Sequence, residues 1–202
     1  YNIAVVEDAA ESLGSYYKNQ HTGTFGLLGA ISFNGNKTLT SGGGGVIITD
    51  DEVIAARAKH ITTTAKFPHK WEYTHDEVGF NYRMPNLNAA LSCAQLEQLN
   101  LFVKAKRNLA LAYQGFSKEL KFIAEPFNTK SNYWLNALSL ADRKERDVVL
   151  TILNEEGIMC RPIWTLLHKM PMYDHCYVDS QVNAQWLEDR IVNLPSSVVI
   201  NE

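Results

Sequence analysis

The sequence predicts an α/β protein, because short apolar segments typical of strands alternate with segments that repeat apolar residues at helical spacing. The chain has 202 residues, of which 46% are hydrophobic and 20% are charged. These proportions are those of a folded globular protein, and they argue against disorder, a collagen helix or a coiled coil. We therefore expect the chain to bury a core.

Charge and cysteine content narrow the class of protein further. The net charge is −3 with a pI of about 6.1, which gives no electrostatic reason to expect binding to nucleic acid or to an anionic membrane. No apolar run reaches the ~20 residues that a membrane helix needs. Cys93, Cys160 and Cys176 lack metal-ligand spacing, so we expect a reduced, cytoplasmic setting and no bound metal.

The first part of the chain predicts most of a sheet. Residues 3–6 are a continuous apolar run that ends at Glu7 and Asp8, as in a buried parallel strand with acidic side chains at its carboxyl end. A short helix is predicted over 9–13. Residues 30–33 and 46–49 predict two further strands, separated by glycine-rich turns.

The rest of the chain predicts helices and then a second α/β segment. Helices are expected over 52–60, from Asn86 or Asn88 as N-cap to 99, and over 101–120, with an irregular excursion at 61–78. A strand at 132–140, a helix at 143–156 and a strand at 158–164 follow. This change of pattern predicts two domains, residues 1–121 and 122–202.

Lys37 is the residue that most strongly indicates chemistry. A lone lysine is ordinarily a solvated surface charge. Lys37, however, follows a predicted strand and a turn of small residues, and four glycines at 42–45 come soon after it. Glycines allow close approach of the backbone to a bound molecule. An amine at such a turn can form a Schiff base with a carbonyl cofactor and move protons after its release.

Asp8 stands 29 residues before Lys37, and each lies beside the predicted end of a strand. As a helix N-cap, Asp8 would have a purely structural role. As a carboxylate beneath a pyridinium nitrogen, it would keep a cofactor ring protonated and electron-withdrawing. Together, Asp8 and Lys37 fit the two polar anchors of a pyridoxal phosphate site.

Ser32 and the glycine tract at 42–45 are less specific signals. The tract could approach a phosphate, but it lacks the spacing of a GxGxxG fingerprint or a P-loop. We interpret it as a flexible turn that lets the following strand pass close to a cofactor, while a generic phosphate-binding module stays an alternative. Ser32 could bond a phosphate oxygen or simply lie in its strand.

Several motifs occur in a fixed order along the first half of the chain. They are VEDAAESLG at 6–14, GTFG at 23–26, SFNGNK at 32–37, GGG at 43–45 and GFNYRM at 79–84. Together they strongly resemble the DegT/DnrJ/EryC1/StrS family of pyridoxal phosphate-dependent sugar aminotransferases. A looser match continues through 161–164 and His168 to 194–196, so the resemblance covers nearly the whole chain.

The resemblance implies fold type I, with residues 1–121 as the C-terminal portion of a large mixed-sheet domain that binds pyridoxal 5′-phosphate. Residues 122–202 would be most of a smaller α/β domain. Members are longer than this chain, so we expect it to lack an N-terminal half that carries a phosphate-binding loop and a ring-stacking aromatic residue. A terminal part of the small domain would be missing as well.

The resemblance also implies roles for individual residues. Lys37 would form the Schiff base, and Asp8 would face the pyridine nitrogen. Glu11 would neighbour the ring's 3-hydroxyl group, and Ser32 would bind the phosphate. Asn81 would reach the phosphate of the neighbouring subunit's cofactor, so that a homodimer shares its active sites. The implied substrate contacts are Arg161, Trp164 and His168.

The implied reaction moves an amino group, with glutamate as the expected donor, to the C4 ketone of a UDP-linked 4-keto-6-deoxy-N-acetylaminosugar. The product would serve surface glycan or glycoprotein synthesis. Glu11 and Gly43, where many members have Gln and Glu, favour the bacillosamine-type branch. A dehydratase of the same family would carry a histidine in place of Lys37. A protein that binds the cofactor or a nucleotide sugar without turnover is the alternative.

Overall fold

The computed structural model describes residues 1, 3–116 and 120–198. The strands in these ranges are β1 (Val6–Asp8), β2 (Tyr16–Tyr17), β3 (Gln20–His21), β4 (Leu28–Ser32), β5 (Gly45–Ile48), β6 (Lys121–Phe122), β7 (Thr129–Lys130), β8 (Asn136–Ser139), β9 (Arg161–Pro162) and β10 (Ile191–Leu194). The α-helices are α1 (Glu52–Thr62), α2 (Asn86–Glu97), α3 (Leu99–Phe116), α4 (Arg143–Glu155) and α5 (Val182–Glu188). None of these helices is long and apolar enough to cross a bilayer.

The chain divides into two compact units. The first comprises residues 1–104 and 126–132, and the second comprises 105–125 and 133–202. The predicted boundary between residues 121 and 122 remains a proposal for the complete protein. Residues 117–119, near the end of the helix predicted over 101–120, lie outside the described residues.

The sheet of the first unit has the strand order β1-β4-β5. β1 runs parallel to β4, with Asp8 opposite Ala30, and β4 runs antiparallel to β5, with Ser32 opposite Gly45. Because β1 and β4 run parallel, their carboxyl ends, Asp8 and Ser32, lie at the same edge of the sheet. The expectation of a buried strand at 3–6 is wrong: the strand begins at Val6, whose exposed fraction is 63%.

Residues 9–13 form turns, so the short helix predicted there is wrong. The Oδ1 atom of Asp8 accepts the Ala10 N–H at 3.2 Å, which favours a turn over a helix start. Gly14 follows with a φ of +85°, a left-handed conformation that suits glycine. The chain then enters a small antiparallel sheet of order β3-β2-β7.

The two helices that flank the excursion differ in how they begin. Asp51 caps α1, since its Oδ1 atom accepts the N–H groups of Val53 and Ile54 at 2.9 and 3.0 Å. α2 begins after Pro85 without a side-chain cap, so the expectation that Asn86 or Asn88 caps it is wrong. The Asn88 side chain instead donates to the backbone oxygen of Ser41 at 2.6 Å.

The second unit contains an antiparallel sheet of order β6-β8-β10-β9. Asp142 caps α4 by accepting the Glu145 N–H at 2.9 Å, and Gly157 follows the helix with a φ of +78°. The core of this unit is a cluster of buried side chains from these strands and the segments beside them: Leu138, Leu140, Cys160, Val192 and Leu194. Sequence patterns did not predict β10 or α5.

A buried carboxylate at the end of α5 holds the segment after β9 in place. Glu188, 7% exposed, accepts the Leu166 N–H at 3.2 Å and the Lys169 ammonium, while its backbone oxygen accepts from Arg146. Burial, the largest single effect, would raise the pKa of Glu188, but the bonds from Lys169, Leu166 and Gln185 together lower it. One side chain therefore holds both ends of the short turn 166–169.

Replacing Glu188 with alanine should reduce the free energy of unfolding by about 3 kcal/mol, because it removes one member of a largely buried ion pair and leaves Lys169 uncompensated. Urea denaturation would measure this loss. Glu155→Ala, at an exposed position on α4, is the matched control and should change stability by less than about 0.5 kcal/mol. Equal effects of the two substitutions would contradict the prediction.

Candidate active site

Lys37 lies in the turn after β4, where its backbone N–H donates to the Asn34 oxygen at 3.0 Å. Its Nζ atom donates to Oε1 of Glu11 at 2.5 Å. The Lys37 side chain is only 12% exposed, whereas that of Glu11 is 50% exposed. The structure therefore brings Lys37 to Glu11, three residues along the chain from Asp8.

Asp8 and Ser32 line one open groove with a volume of about 1200 Å³. The glycine tract forms another part of its wall. At Gly45 a Cβ atom would lie 2.4 Å from the Ile31 oxygen, so the pairing of β5 with β4 requires glycine at that position. The remaining lining residues include Ile47, Lys59, Thr62, Tyr82, Arg83 and Asn88.

The segment between Lys37 and the glycine tract is tied to α2. Gln95 accepts the Thr40 N–H at 2.9 Å through its side-chain oxygen, and Asn88 bonds the Ser41 oxygen. Sequence reasoning missed these two residues as supports of the site. The available signal was a pair of amide side chains seven residues apart, which places both on one face of the helix.

Glu7 is a second support that the sequence patterns did not reveal. Its carboxylate accepts three backbone N–H groups, from Gly23 at 2.8 Å, Phe25 at 2.6 Å and Gly26 at 2.7 Å. The hydrogen bond from Gly26, followed by those from Gly23 and Phe25, lowers the pKa of Glu7 below its ordinary value. These three bonds hold the GTFG loop against β1 at Glu7, the residue before Asp8.

Asn81 lies on a separate segment of the first unit, where it pairs with Thr63 in an isolated bridge. The two residues after it, Tyr82 and Arg83, line the groove. Its implied role toward a neighbouring subunit stays a prediction.

The three implied substrate contacts belong to the second unit. Arg161 opens β9 and donates to Asn154 Oδ1 at 3.1 Å and to the Cys160 oxygen at 2.9 Å. Trp164 is 66% exposed, and its ring stacks on that of Trp134 with centroids 6.2 Å apart. His168 lies in a single 3₁₀ turn, Leu167–Lys169. Their roles toward a substrate remain predictions.

The groove suits pyridoxal phosphate in its volume and in the side chains of its wall. Cofactor sites commonly have volumes of about 300–1000 Å³, so the groove is large enough. Its wall offers a carboxylate at Asp8 for a pyridinium nitrogen and a hydroxyl at Ser32 for a phosphate. The amine that such a cofactor requires is that of Lys37, which is not among the residues lining the groove and is held by Glu11, three residues along the chain from Asp8.

The sequence profile of the DegT/DnrJ/EryC1/StrS aminotransferase family matches residues 1–202. The chain belongs to this family. It is 37% identical over 196 residues to GDP-perosamine synthase of Escherichia coli O157:H7, covering 96% of this chain and 53% of that protein. It is 36% identical over 209 residues to EpsN of Bacillus subtilis, provisionally named a pyridoxal phosphate-dependent aminotransferase, covering 100% of this chain and 54% of that protein.

The solved structures agree with this assignment. Aminotransferase TlmJ from Streptoalloteichus hindustanus superposes with a TM-score of 0.91 at 25% identity, covering 99% of this chain and 55% of that structure. The predicted fold type I is thereby confirmed. The chain spans about half the length of the curated relatives it matches. The first relative is named for a GDP-linked sugar, so the bacillosamine-type branch stays a prediction.

Replacing Glu7 with glutamine should lower the melting temperature of the first unit at neutral pH. It should also make the fall of the melting temperature toward acidic pH, here called the acid limb, less steep. A carboxylate whose pKa is lowered on folding stabilises the protein above its unfolded pKa, and this contribution is lost as the pH falls through the folded value. Thermal melts from about pH 7 to about pH 3 would show it. Glu97→Gln, exposed on α2, is the control; identical acid limbs for the two variants would contradict the prediction.

Proposed function

We propose that the complete protein is a pyridoxal phosphate-dependent aminotransferase that moves an amino group, with glutamate as donor, to the C4 ketone of a nucleotide-linked 4-keto-6-deoxy sugar. The observation that carries the proposal is the Lys37 amine held by Glu11, three residues from Asp8, whose carboxylate shares a groove wall with Ser32. Membership of a sugar aminotransferase family supports it. The product would enter surface glycan or glycoprotein synthesis, and the reaction would occur in the cytoplasm.

The motifs and the relatives differ on which nucleotide the sugar substrate carries. The motifs at 34–36 and 161–164 favour a UDP-linked N-acetylaminosugar, whereas the first relative is named for a GDP-linked sugar. We propose the UDP-linked acceptor, with the GDP-linked one as its direct competitor in the assay. The two differ in the base, which an exposed ring such as Trp164 could contact.

Each residue would act on a different atom of the reaction. Pyridoxal phosphate supplies an electron sink for the carbon that loses a proton. Lys37 would hold the cofactor through Nζ and, once displaced by the donor, carry a proton between the donor's Cα and the cofactor's C4′. Asp8 would hold the proton on the ring nitrogen. Ser32 would donate its hydroxyl to the phosphate, and the 2.5 Å contact from Glu11 would orient Lys37 before the cofactor binds.

We also propose that the active sites are shared in a homodimer. Asn81 lies on an exposed segment whose neighbours Phe80 and Tyr82 are 48% and 72% exposed. Aromatic residues are enriched in protein interfaces. An exposed amide on a segment with exposed aromatic neighbours is suited to reach a phosphate that a second copy of the chain holds.

Replacing Lys37 with alanine in the complete protein should lower amino transfer by about a thousandfold or more, because the covalent anchor and the proton carrier are lost together. The visible absorbance of the lysine-bound cofactor should disappear as well. Lys144→Ala, exposed on α4, is the control and should retain both.

The same assay, run with UDP-linked and GDP-linked 4-keto-6-deoxy acceptors, decides the substrate. Faster transfer to the UDP-linked sugar would support our proposal, and faster transfer to the GDP-linked sugar would overturn that part of it. Cofactor absorbance without transfer to either acceptor would favour a non-catalytic binding protein. Full activity of the Lys37 variant would refute the enzyme assignment.

Shared sites predict complementation between two inactive variants of the complete protein. Lys37→Ala and Asn81→Ala subunits, mixed and reassembled, should form heterodimers with one intact site, in which Lys37 comes from one chain and Asn81 from the other. About a quarter of the wild-type activity should return if exchange is random and each intact site works independently. No recovery despite proven subunit exchange would contradict the shared site.

A further inference from the structure

The excursion after α1, defined here as residues 63–85, folds back onto the end of that helix. Lys66 pairs with His75, and Thr63 pairs with Asn81. The Phe67 N–H donates to the Thr74 oxygen at 2.8 Å. The segment 61–78, expected to be irregular, therefore has a hairpin-like order, and residues 79–82, which we call the returning arm, carry Asn81.

Main-chain hydrogen bonds set the register of the returning arm. The N–H groups of Phe80 and Tyr82 donate to the oxygens of Ile61 and Thr62 at 2.7 and 2.9 Å, and the Thr64 N–H donates to the Phe80 oxygen at 3.0 Å. The rings of Phe80 and Tyr82 stack with centroids 5.3 Å apart. Because side chains alternate along an extended segment, Asn81 faces the opposite side from these rings.

An ion pair and a histidine–carboxylate contact join α1 to the residues just before this arm, and we call them the clasp. Arg57 donates from both terminal nitrogens to both carboxylate oxygens of Glu77, with one bond of 2.6 Å. His60 Nε2 lies 2.7 Å from Asp76 Oδ1 and 3.5 Å from Glu77 Oε1. Arg57 and His60 are three residues apart on α1, so they share one face of the helix.

The side chains of α1 stabilise the ionised forms of both carboxylates of the clasp. The side-chain hydrogen bond from Arg57 lowers the pKa of Glu77, and that from His60 lowers the pKa of Asp76. His60, Asp76 and Glu77 also lie close enough together to ligate a metal ion. Arg57 engages both oxygens of Glu77, however, so the arrangement is that of an ion-pair network.

Besides the clasp, the returning arm is held by the main-chain bonds above and by side-chain contacts of His75 with the Thr64 oxygen and of Arg83 with the Thr63 oxygen. Its pairing with the end of α1 is an isolated bridge, and two-stranded pairings are marginally stable in water. Gly79, which precedes Phe80, packs so closely that a Cβ atom there would lie 2.4 Å from the Thr64 carbonyl carbon. Glu77 of the clasp lies two residues before Gly79. The clasp can therefore fix the direction in which the returning arm begins.

We propose that Arg57, His60, Asp76 and Glu77 are positioning residues, which hold the arm so that Asn81 is presented to the site of a second copy of the chain. This inference rests on the proposed function, in which Asn81 binds the phosphate held by the neighbouring subunit. The clasp itself lies outside the groove of its own chain, since none of its four side chains is among the residues that line it. Its loss therefore weakens cofactor binding in the partner site while proton transfer by Lys37 in the same chain is preserved.

Hydrogen exchange at the Phe80 and Tyr82 amides tests the structural half of this proposal. In the complete protein, Asp76→Asn combined with Glu77→Gln should accelerate exchange at both amides about tenfold, since an exposed ion pair and a histidine–carboxylate contact are lost. Glu72→Gln removes a carboxylate from the same excursion and is the matched control. The charge-swapped pair Arg57→Glu with Glu77→Arg should restore slower exchange. Unchanged exchange in the double variant would overturn the proposal.

Heterodimers test the positioning half, because they separate effects within a chain from effects across the interface. When the clasp substitutions are placed in the Lys37→Ala chain, the one competent lysine faces the weakened arm, and the apparent Kd for pyridoxal phosphate at that site should rise about fivefold. When they are placed in the other chain, the competent lysine faces an intact arm, and its Kd should stay at the control value.

A Kd that rises in the second arrangement and not in the first would refute positioning across the interface, as would no change in either. A merely structural role would affect both arrangements alike, which also overturns the proposal. If the wild-type protein binds no pyridoxal phosphate, the proposed function fails on its own, and the exchange experiment still decides whether the clasp holds the arm.

Discussion

The carboxylate of Glu7 is the contact on which the geometry of the first unit depends. β1 and β4 run parallel, and parallel neighbours normally require a crossover that packs against the sheet, most often a helix. Here residues 9–27 cross over without one, through turns and the β2–β3 hairpin. Three amides bound to Glu7 fasten the end of this crossover to β1. At Gly29 a Cβ atom would lie 2.1 Å from the Gly23 oxygen, so the fastened loop runs directly against β4.

Elements with strong local signals could be predicted from the sequence, and elements fixed by distant contacts could not. α4 begins at its predicted residue because Asp142 caps it, and Gly157 sets its end. Turns form at 9–13 in place of the predicted helix because Asp8 accepts the Ala10 amide and the chain must enter β2. β10 is recognisable only through its pairing with β8 and β9, since its four residues include the polar Asn193.

The residues of the candidate site differ in the same way: some carry a local signal in the sequence, and others are fixed by distant contacts. Lys37, Asp8 and Ser32 could be proposed from the sequence because each lies at or just after the end of a strand and belongs to a motif with a chemical rationale. The residues that support them could not, because the contacts of Asn88 with Ser41 and of Gln95 with Thr40 join segments about fifty residues apart. Sequence patterns carry side-chain type and local periodicity, whereas such contacts exist only once α2 has packed beside the turn.

Three carboxylates, from Glu7, Asp8 and Glu11, lie within a stretch of five residues. The structure gives two of them dedicated donors. Glu7 is bound by backbone amides and Glu11 by the Lys37 ammonium, so their negative charges are compensated locally. Asp8 instead stays exposed on the groove wall, where one oxygen accepts the Ala10 amide. The arrangement thus directs the charge of Asp8 into the groove, where a cationic ring nitrogen would be stabilised most effectively.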